Sequence, residues 1–203
     1  MEAIIFDIDG TLIDSDEADG RLFLAAVHRV LGIADASSDW TTYRNVTDEG
    51  VLRQIMQVHG IGCDPTLMEA TKREFVSLLA IHIEQHGPFR EIPGALSYVR
   101  GLLASEHHYM AYATGGWRES ALLKLESAGF PTRGVPISTS SDFEDRTSIM
   151  KAALSAAPSA LSRITYYGDG VWDEAAARSL DWDFVPVGEA LDGLRNYDEA
   201  APK

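Results

Sequence analysis

The stretch Met1-Glu2-Ala3-Ile4-Ile5-Phe6-Asp7-Ile8-Asp9-Gly10-Thr11-Leu12-Ile13-Asp14 decides how the rest of the chain is read. Residues 3–8 form an apolar run of strand length, ended by an Asp-Gly turn. Yet the run carries Asp7, and Asp9 follows two residues later. Side chains alternate along an extended segment, so the two carboxylates project to the same side. Two carboxylates that close raise each other's proton affinity unless a cation sits between them. A purely structural Asp7 in so apolar a run would be expensive. The pair reads instead as one nucleophile and one acid/base group held around a metal.

Working outward, the same grammar recurs. Residues 108–113 are an apolar run ending in Thr114-Gly115-Gly116, 163–167 end in Gly168-Asp169-Gly170, and 182–187 end in Gly188; 135–139 is a shorter candidate. Helical patterns lie between them at 94–105, 117–128, 147–157 and 173–180. Strands alternating with helices predict an α/β fold, a Rossmann-like parallel sheet covered on both faces. Residues 16–87 differ, with three helical patterns and no strand. The first spans 17–31 and is stopped by Gly32; the second opens at Thr47-Asp48 and ends at Gly60. The third has Asp64 as N-cap and Pro65 at its first position, and runs to Gly87-Pro88. The expected organisation is an α/β core of residues 1–15 and 88–203 interrupted by an all-helical cap, with a tail that frays after Tyr197.

A length of 203 residues suits one domain carrying an insertion. The 17 Lys+Arg against 31 Asp+Glu give a net charge of −14, which counts against binding to nucleic acid or to an anionic membrane surface. No window approaches the ~20 apolar residues of a membrane span. The start lacks the basic n-region of a secretory signal, and the single Cys63 can form no internal disulfide. A cytoplasmic location is expected.

A lone Asp-Gly or Gly-Gly is usually just a tight turn. Three polar, Gly-rich turns in order, each at a strand's C-terminal end, mark the edge where open parallel sheets bind ligands. Gly168-Asp169-Gly170-Val171-Trp172-Asp173 adds two carboxylates, although Asp173 could equally cap the helix that follows. Hard oxygen ligands without a nearby His or Cys favour Mg²⁺ over zinc. Thr114-Gly115-Gly116 opens a helix with a hydroxyl and bare amides, chemistry that cradles an oxyanion.

The ordered set Asp7-Ile8-Asp9-Gly10-Thr11, Thr114-Gly115, a downstream basic residue and Gly168-Asp169…Asp173 resembles the haloacid dehalogenase superfamily. The helical insertion resembles the small cap of its phosphoglycolate-phosphatase and β-phosphoglucomutase-like branch. The resemblance implies hydrolysis of a small phosphomonoester through an aspartyl-phosphate. Asp7 would attack phosphorus, and Asp9 would protonate the leaving oxygen and then deprotonate water. Mg²⁺ would bind Asp7, the backbone carbonyl of Asp9, Asp169 and Asp173, the last directly or through water. Thr114 and the Gly115 amide would hold phosphoryl oxygens.

The sequence departs from the family pattern at the basic residue, where no Lys-Pro pair occurs. Arg146 and Lys151 compete, and five positions place them about 140° apart on a helix, so one face cannot present both. Arg146, nearer the site edge and with a planar fork suited to phosphate, is preferred. In the cap, the stretch 43–48 is expected to face the substrate, with Arg44 as a contact and Arg21 and Arg53 as further candidates. A phosphomutase uses the same core residues, and a non-catalytic phosphate-binding module would keep the pocket without turnover. A dehalogenase has no need of Asp9, and a Schiff-base phosphonate hydrolase would need a cap lysine, of which the insertion offers only Lys72.

Overall fold

Strand β1 (Glu2–Phe6) runs through the middle of a five-stranded parallel sheet with β4 (His108–Ala113), β5 (Ile137–Ser138), β6 (Arg163–Gly168) and β7 (Asp183–Pro186), in the order β5-β4-β1-β6-β7. The computed structural model describes residues 1–199. Of the tail expected to fray, Tyr197–Glu199 form a 3₁₀ turn with Tyr197 buried; the remainder lies outside the described residues.

The alternation along β1 explains why its run is apolar throughout. Ile4 and Phe6 pack on one face against α4 (Ala95–Leu103) and α5 (Arg118–Ser127), through Val99, Leu102, Ala121 and Leu125. Ile5 packs on the other face with α6 (Arg146–Ala153) and α7 (Val171–Ser179), through Ile149, Met150, Ala176 and Ala177. Each fully buried Val, Leu, Ile, Phe or Met side chain among these stabilises the fold by about 1.5–3 kcal/mol.

Register then sets the site. Phe6 stands opposite both Tyr112 and Tyr167, so Asp7, Thr114 and Asp169 leave the sheet together at its C-terminal edge. The Asp7 amide still donates to the Tyr167 carbonyl at 2.9 Å, which fixes the residue's direction as the strand ends.

Between β1 and α4 the chain builds a helical block from α1 (Asp16–Leu31), α2 (Asp48–Val58) and α3 (Pro65–His86). The local chemistry matches the elements: Thr47 Oγ1 accepts from the Gly50 amide, Asp64 Oδ1 accepts from the Thr66 amide, and Gly32 ends α1 at φ +71°. The block has its own apolar centre, with Phe23, Leu52, Ile55, Phe75 and Leu79 buried. Trp117, from the turn before α5, enters that centre and stacks on Phe23 at 5.7 Å. It packs the block onto the sheet. The entering and returning chains pair as β2 (Ile13–Asp14) and β3 (Arg90–Glu91), an antiparallel ladder two residues long. Among the described residues, no helix is long and apolar enough to cross a membrane.

Of the boundaries that differ from the sequence reading, two lie in the helices that carry Arg146 and Asp173. The helix expected over 147–157 stops at Ala153, beyond which the chain tightens into turns, Leu154, Ser155 and Ala157 donating to the carbonyls three residues back. The helix expected from residue 173 begins at Val171, which places Asp173 inside the first turn, where its Oδ2 accepts from the Gly170 amide at 3.2 Å.

Candidate active site

At the sheet edge, Asp7, Asp169 and Asp173 each offer an oxygen, and the three atoms lie within 4.8 Å of one another. Asp7 and Asp173 are buried and Asp169 is half-buried. Burial pushes the Asp7 carboxyl up to about 8; Arg146 opposes that rise, while Asp173 and Asp9 add to it. Burial likewise lifts Asp169 to about 10, helped by Asp16, Asp7 and Asp173. Three acids so close are held short of cation, and the donor set is all oxygen. That is the chemistry a hard divalent ion satisfies, so these residues fit Mg²⁺.

Arg146 is the protein's own cation here. As the first residue of α6, capped by Asp145, it reaches inward with Nη1 3.2 Å from Asp7 Oδ1 and 3.3 Å from Asp173 Oδ1. Burial works against its charge, but Asp173 and Asp7 outweigh it and hold the guanidinium above its ordinary value. Nη2 donates to the Val46 carbonyl at 3.0 Å, and Nε is buried with no partner. Gly115 must be glycine, since a Cβ there would sit 2.7 Å from Arg146 Nη2 and 2.9 Å from the Val46 carbonyl oxygen. Thr114 is buried, its Oγ1 accepting from the Gly116 amide at 3.1 Å.

These groups face a cavity of about 190 Å³ roofed by the helical block. Asp7, Asp9, Thr114, Gly115, Arg146 and Asp169 line its floor. The roof contributes Asp19, Phe23, Trp40, Val46, Asp48 and Val51. Asp48 joins roof to floor: its amide donates to the Gly115 carbonyl at 2.8 Å, and its Oδ2 accepts from the Trp117 amide at 2.8 Å.

Two expected substrate contacts are displaced. Lys151 is exposed on α6 and does not line the cavity, because Arg146 occupies the inward-facing position of that helix. Arg44 is also exposed: its amide donates to Gln54 Oε1 at 2.9 Å, and its side chain lies outside the cavity. Within the stretch 43–48 the cavity is met by Val46, Thr47 and Asp48 instead. Arg21 is exposed, and Arg53 pairs with Glu49 and Glu144 at 2.9 and 3.1 Å along a separate groove.

The sequence reading missed Lys124. It is fully buried on α5, with Nζ 2.6 Å from both carboxylate oxygens of Asp9 and 2.6 Å from Asp19 Oδ1. Burial opposes its charge, but Asp19 and Asp9 together hold the ammonium above its ordinary value. A signal existed. Lys124 stands three residues after Ala121 and four after Ser120, both buried, so it falls on the core-facing side of its helix.

A protein-family model for the haloacid dehalogenase-like hydrolases matches residues 4–187. The chain belongs to that family. Membership makes it a hydrolytic enzyme, and the family's fold is the one described above. A hydrolase from Pseudomonas syringae superposes on this hydrolase with a TM-score of 0.73 at 20% identity, covering 92% of this chain and 84% of that one. CbbY from Rhodobacter sphaeroides, solved in complex with phosphate, gives 0.71 at 20% identity, covering 97% and 92%. The β-phosphoglucomutase of Clostridium difficile gives 0.71 at 16% identity, covering 95% and 86%. Among curated proteins, no sequence matches.

Proposed function

We propose that this hydrolase is a Mg²⁺-dependent phosphatase that cleaves a small phosphomonoester through an aspartyl-phosphate on Asp7. The observation that carries the reading is the meeting of Asp7, Asp169, Asp173 and Arg146 at one end of a cavity that Thr114 and Gly115 also line. Asp7, Asp169 and Asp173 would hold the metal, with the backbone carbonyl of Asp9, and the ion supplies neutralisation of phosphoryl charge.

A carboxylate oxygen of Asp7 attacks phosphorus while the bond to the leaving oxygen breaks. Asp9 gives its proton to that oxygen, and the alcohol departs. Asp9 then takes a proton from water, the water oxygen attacks phosphorus, and the bond to Asp7 breaks to release phosphate. Arg146, Thr114 and the Gly115 amide hold the phosphoryl oxygens throughout. The exposed free Cys63 supports a reducing, cytoplasmic setting.

The cavity's lining favours hydrolysis over a mutase. Arg146 is the one basic residue lining it among the described residues, whereas a bisphosphate intermediate would need a second. The test is phosphate release from p-nitrophenyl phosphate, a polyol phosphate and phosphoglycolate, each with Mg²⁺ or EDTA. Release of phosphate that needs Mg²⁺ is expected from at least one of these esters. Turnover indifferent to EDTA, or none on any ester, defeats the reading.

A further inference from the structure

Tyr166 is fully buried on β6, does not line the cavity, and takes no part in the reaction just described. A buried phenol hydroxyl is costly unless it is bonded, whereas a phenylalanine would pack in its place without that cost. The partners of this hydroxyl all lie at the catalytic edge. The ring leans along its strand and reaches past β1, and the hydroxyl donates to the Ala113 carbonyl, at the end of β4, at 2.8 Å. It also lies 3.3 Å from Asp173 Oδ1, so its hydrogen is shared between the two acceptors. The local sequence explains the meeting. Residues 166 and 168 face the same side of β6, and the glycine at 168 leaves the space that Asp173 fills. A Cβ on Gly168 would lie 2.7 Å from the Asp173 Cβ. Tyr167 faces the opposite way, and its hydroxyl meets that of Tyr98 at 3.1 Å in the other apolar layer.

We infer that Tyr166 is a positioning residue for Asp173, whose carboxyl it holds in place from beneath the site. The inference rests on the phosphatase reading, which gives Asp173 to the metal, and names what aims that ligand. The Gly170 amide donates to Oδ2 at 3.2 Å while Tyr166 meets Oδ1, so the carboxyl has little freedom to swing. The hydroxyl is tied at the same time to the carbonyl just before Thr114. The position of Asp173 is therefore set against the strand that presents Thr114, and the metal side and the phosphoryl side keep one spacing across β1. Removing a hydrogen-bond partner of this kind, itself outside the ligand set, typically weakens metal binding by about 10- to 100-fold.

The test reads metal binding apart from turnover. Tyr166→Phe removes one oxygen and keeps the ring packed beside Ile149 and Ala176, and circular dichroism checks its fold. Titration calorimetry is expected to show Mg²⁺ binding weakened about tenfold, the low end for a partner outside the ligand set. At saturating Mg²⁺ the bound ion itself orients the carboxylate, so kcat on p-nitrophenyl phosphate should stay within about threefold of wild type. Tyr167→Phe removes the neighbouring hydroxyl from the opposite face and should leave the Mg²⁺ affinity within about twofold. A Tyr166→Phe protein that fails to fold, or that melts at a lower temperature with unaltered Mg²⁺ affinity, gives Tyr166 a role in packing alone and overturns the inference. Equal weakening of Mg²⁺ binding in the two variants overturns it too. Either result leaves the phosphatase reading intact. A folded wild-type protein that binds no Mg²⁺, and whose turnover ignores EDTA, overturns both.

Discussion

Asp7→Asn should abolish phosphate-ester cleavage, with a loss of at least about 10⁴-fold in kcat, while leaving the fold undisturbed. The magnitude follows from chemistry that has no substitute nearby. A carboxamide is a poor nucleophile, and removing the nucleophile of a covalent mechanism typically costs about 10⁴ to 10⁶. Asp9 cannot take over, because the proposed reaction already needs it as acid and then as base. Asp169 and Asp173 are assigned to the proposed metal site. The fold should survive for an electrostatic reason: burial and the neighbouring Asp173 and Asp9 already disfavour charge on Asp7. An isosteric neutral group therefore relieves repulsion, and Arg146 keeps Asp173 as its partner at 3.3 Å. Thermal unfolding without divalent ion should shift upward or not at all. If Asp7→Asn keeps more than a tenth of wild-type turnover, phosphoryl transfer does not pass through Asp7.

Stability of the metal-free protein should fall as the pH rises, and Mg²⁺ should restore it most at the alkaline end. Below the ordinary carboxyl value of 3.8, Asp7 and Asp169 are protonated in both the unfolded and the folded chain. From there up to about 8 for Asp7 and about 10 for Asp169, the unfolded chain has released protons that the folded chain still binds. Each rise in pH across that window therefore favours unfolding. A divalent ion needs the ionised carboxylates, so its binding competes with protons and strengthens as they leave. With Mg²⁺ at about 100 times its dissociation constant, the gain is about 2.7 kcal/mol, or roughly 5–10 °C in Tm for a chain of this size. The check is a thermal-melt series from about pH 5.5 to about pH 8.5 in EDTA and in Mg²⁺. A Mg²⁺-induced shift that is absent, or the same at every pH, removes the cluster from the list of metal sites.

How far these expectations were legible in the sequence depends on where each residue's partners come from. The sheet was readable because the cause is local. An apolar run such as 3–8 can only be satisfied on both faces, and Ile4, Ile5 and Phe6 do divide between two apolar clusters. The placement of Asp7, Thr114 and Asp169 at one edge was readable too, since each follows directly on a strand end. Helix geometry allowed only one of Arg146 and Lys151 to face the site, and the place of Arg146 near the site edge together with its planar fork favoured it. Lys124 was hidden by a different logic: a lysine among leucines on a helix is usually a solvated side chain whose stem covers apolar surface. Only the tertiary meeting of Asp9 and Asp19 gives it a reason to be buried. Arg44 erred in the opposite direction. An arginine in a loop beside the expected site looks aimed at an anion, but the 3₁₀ turn Trp40–Thr42 hands its amide to Gln54 and leaves its side chain outside. Distances along the chain could not show that.

The two-residue ladder of β2 and β3 has a consequence for the protein's history as well as its motion. Ile13 stands directly opposite Glu91, so the chain leaves the sheet layer and returns to it one rung apart. Everything between is an excursion with adjoining ends. Closing such an excursion costs entropy that grows only with the logarithm of its length, so a short hairpin, the present three helices or a larger module would tax the sheet layer almost equally. The catalytic edge can thus keep its register while the roof over it is replaced wholesale. In this architecture the roof can be exchanged while the geometry of the edge stays as it stands.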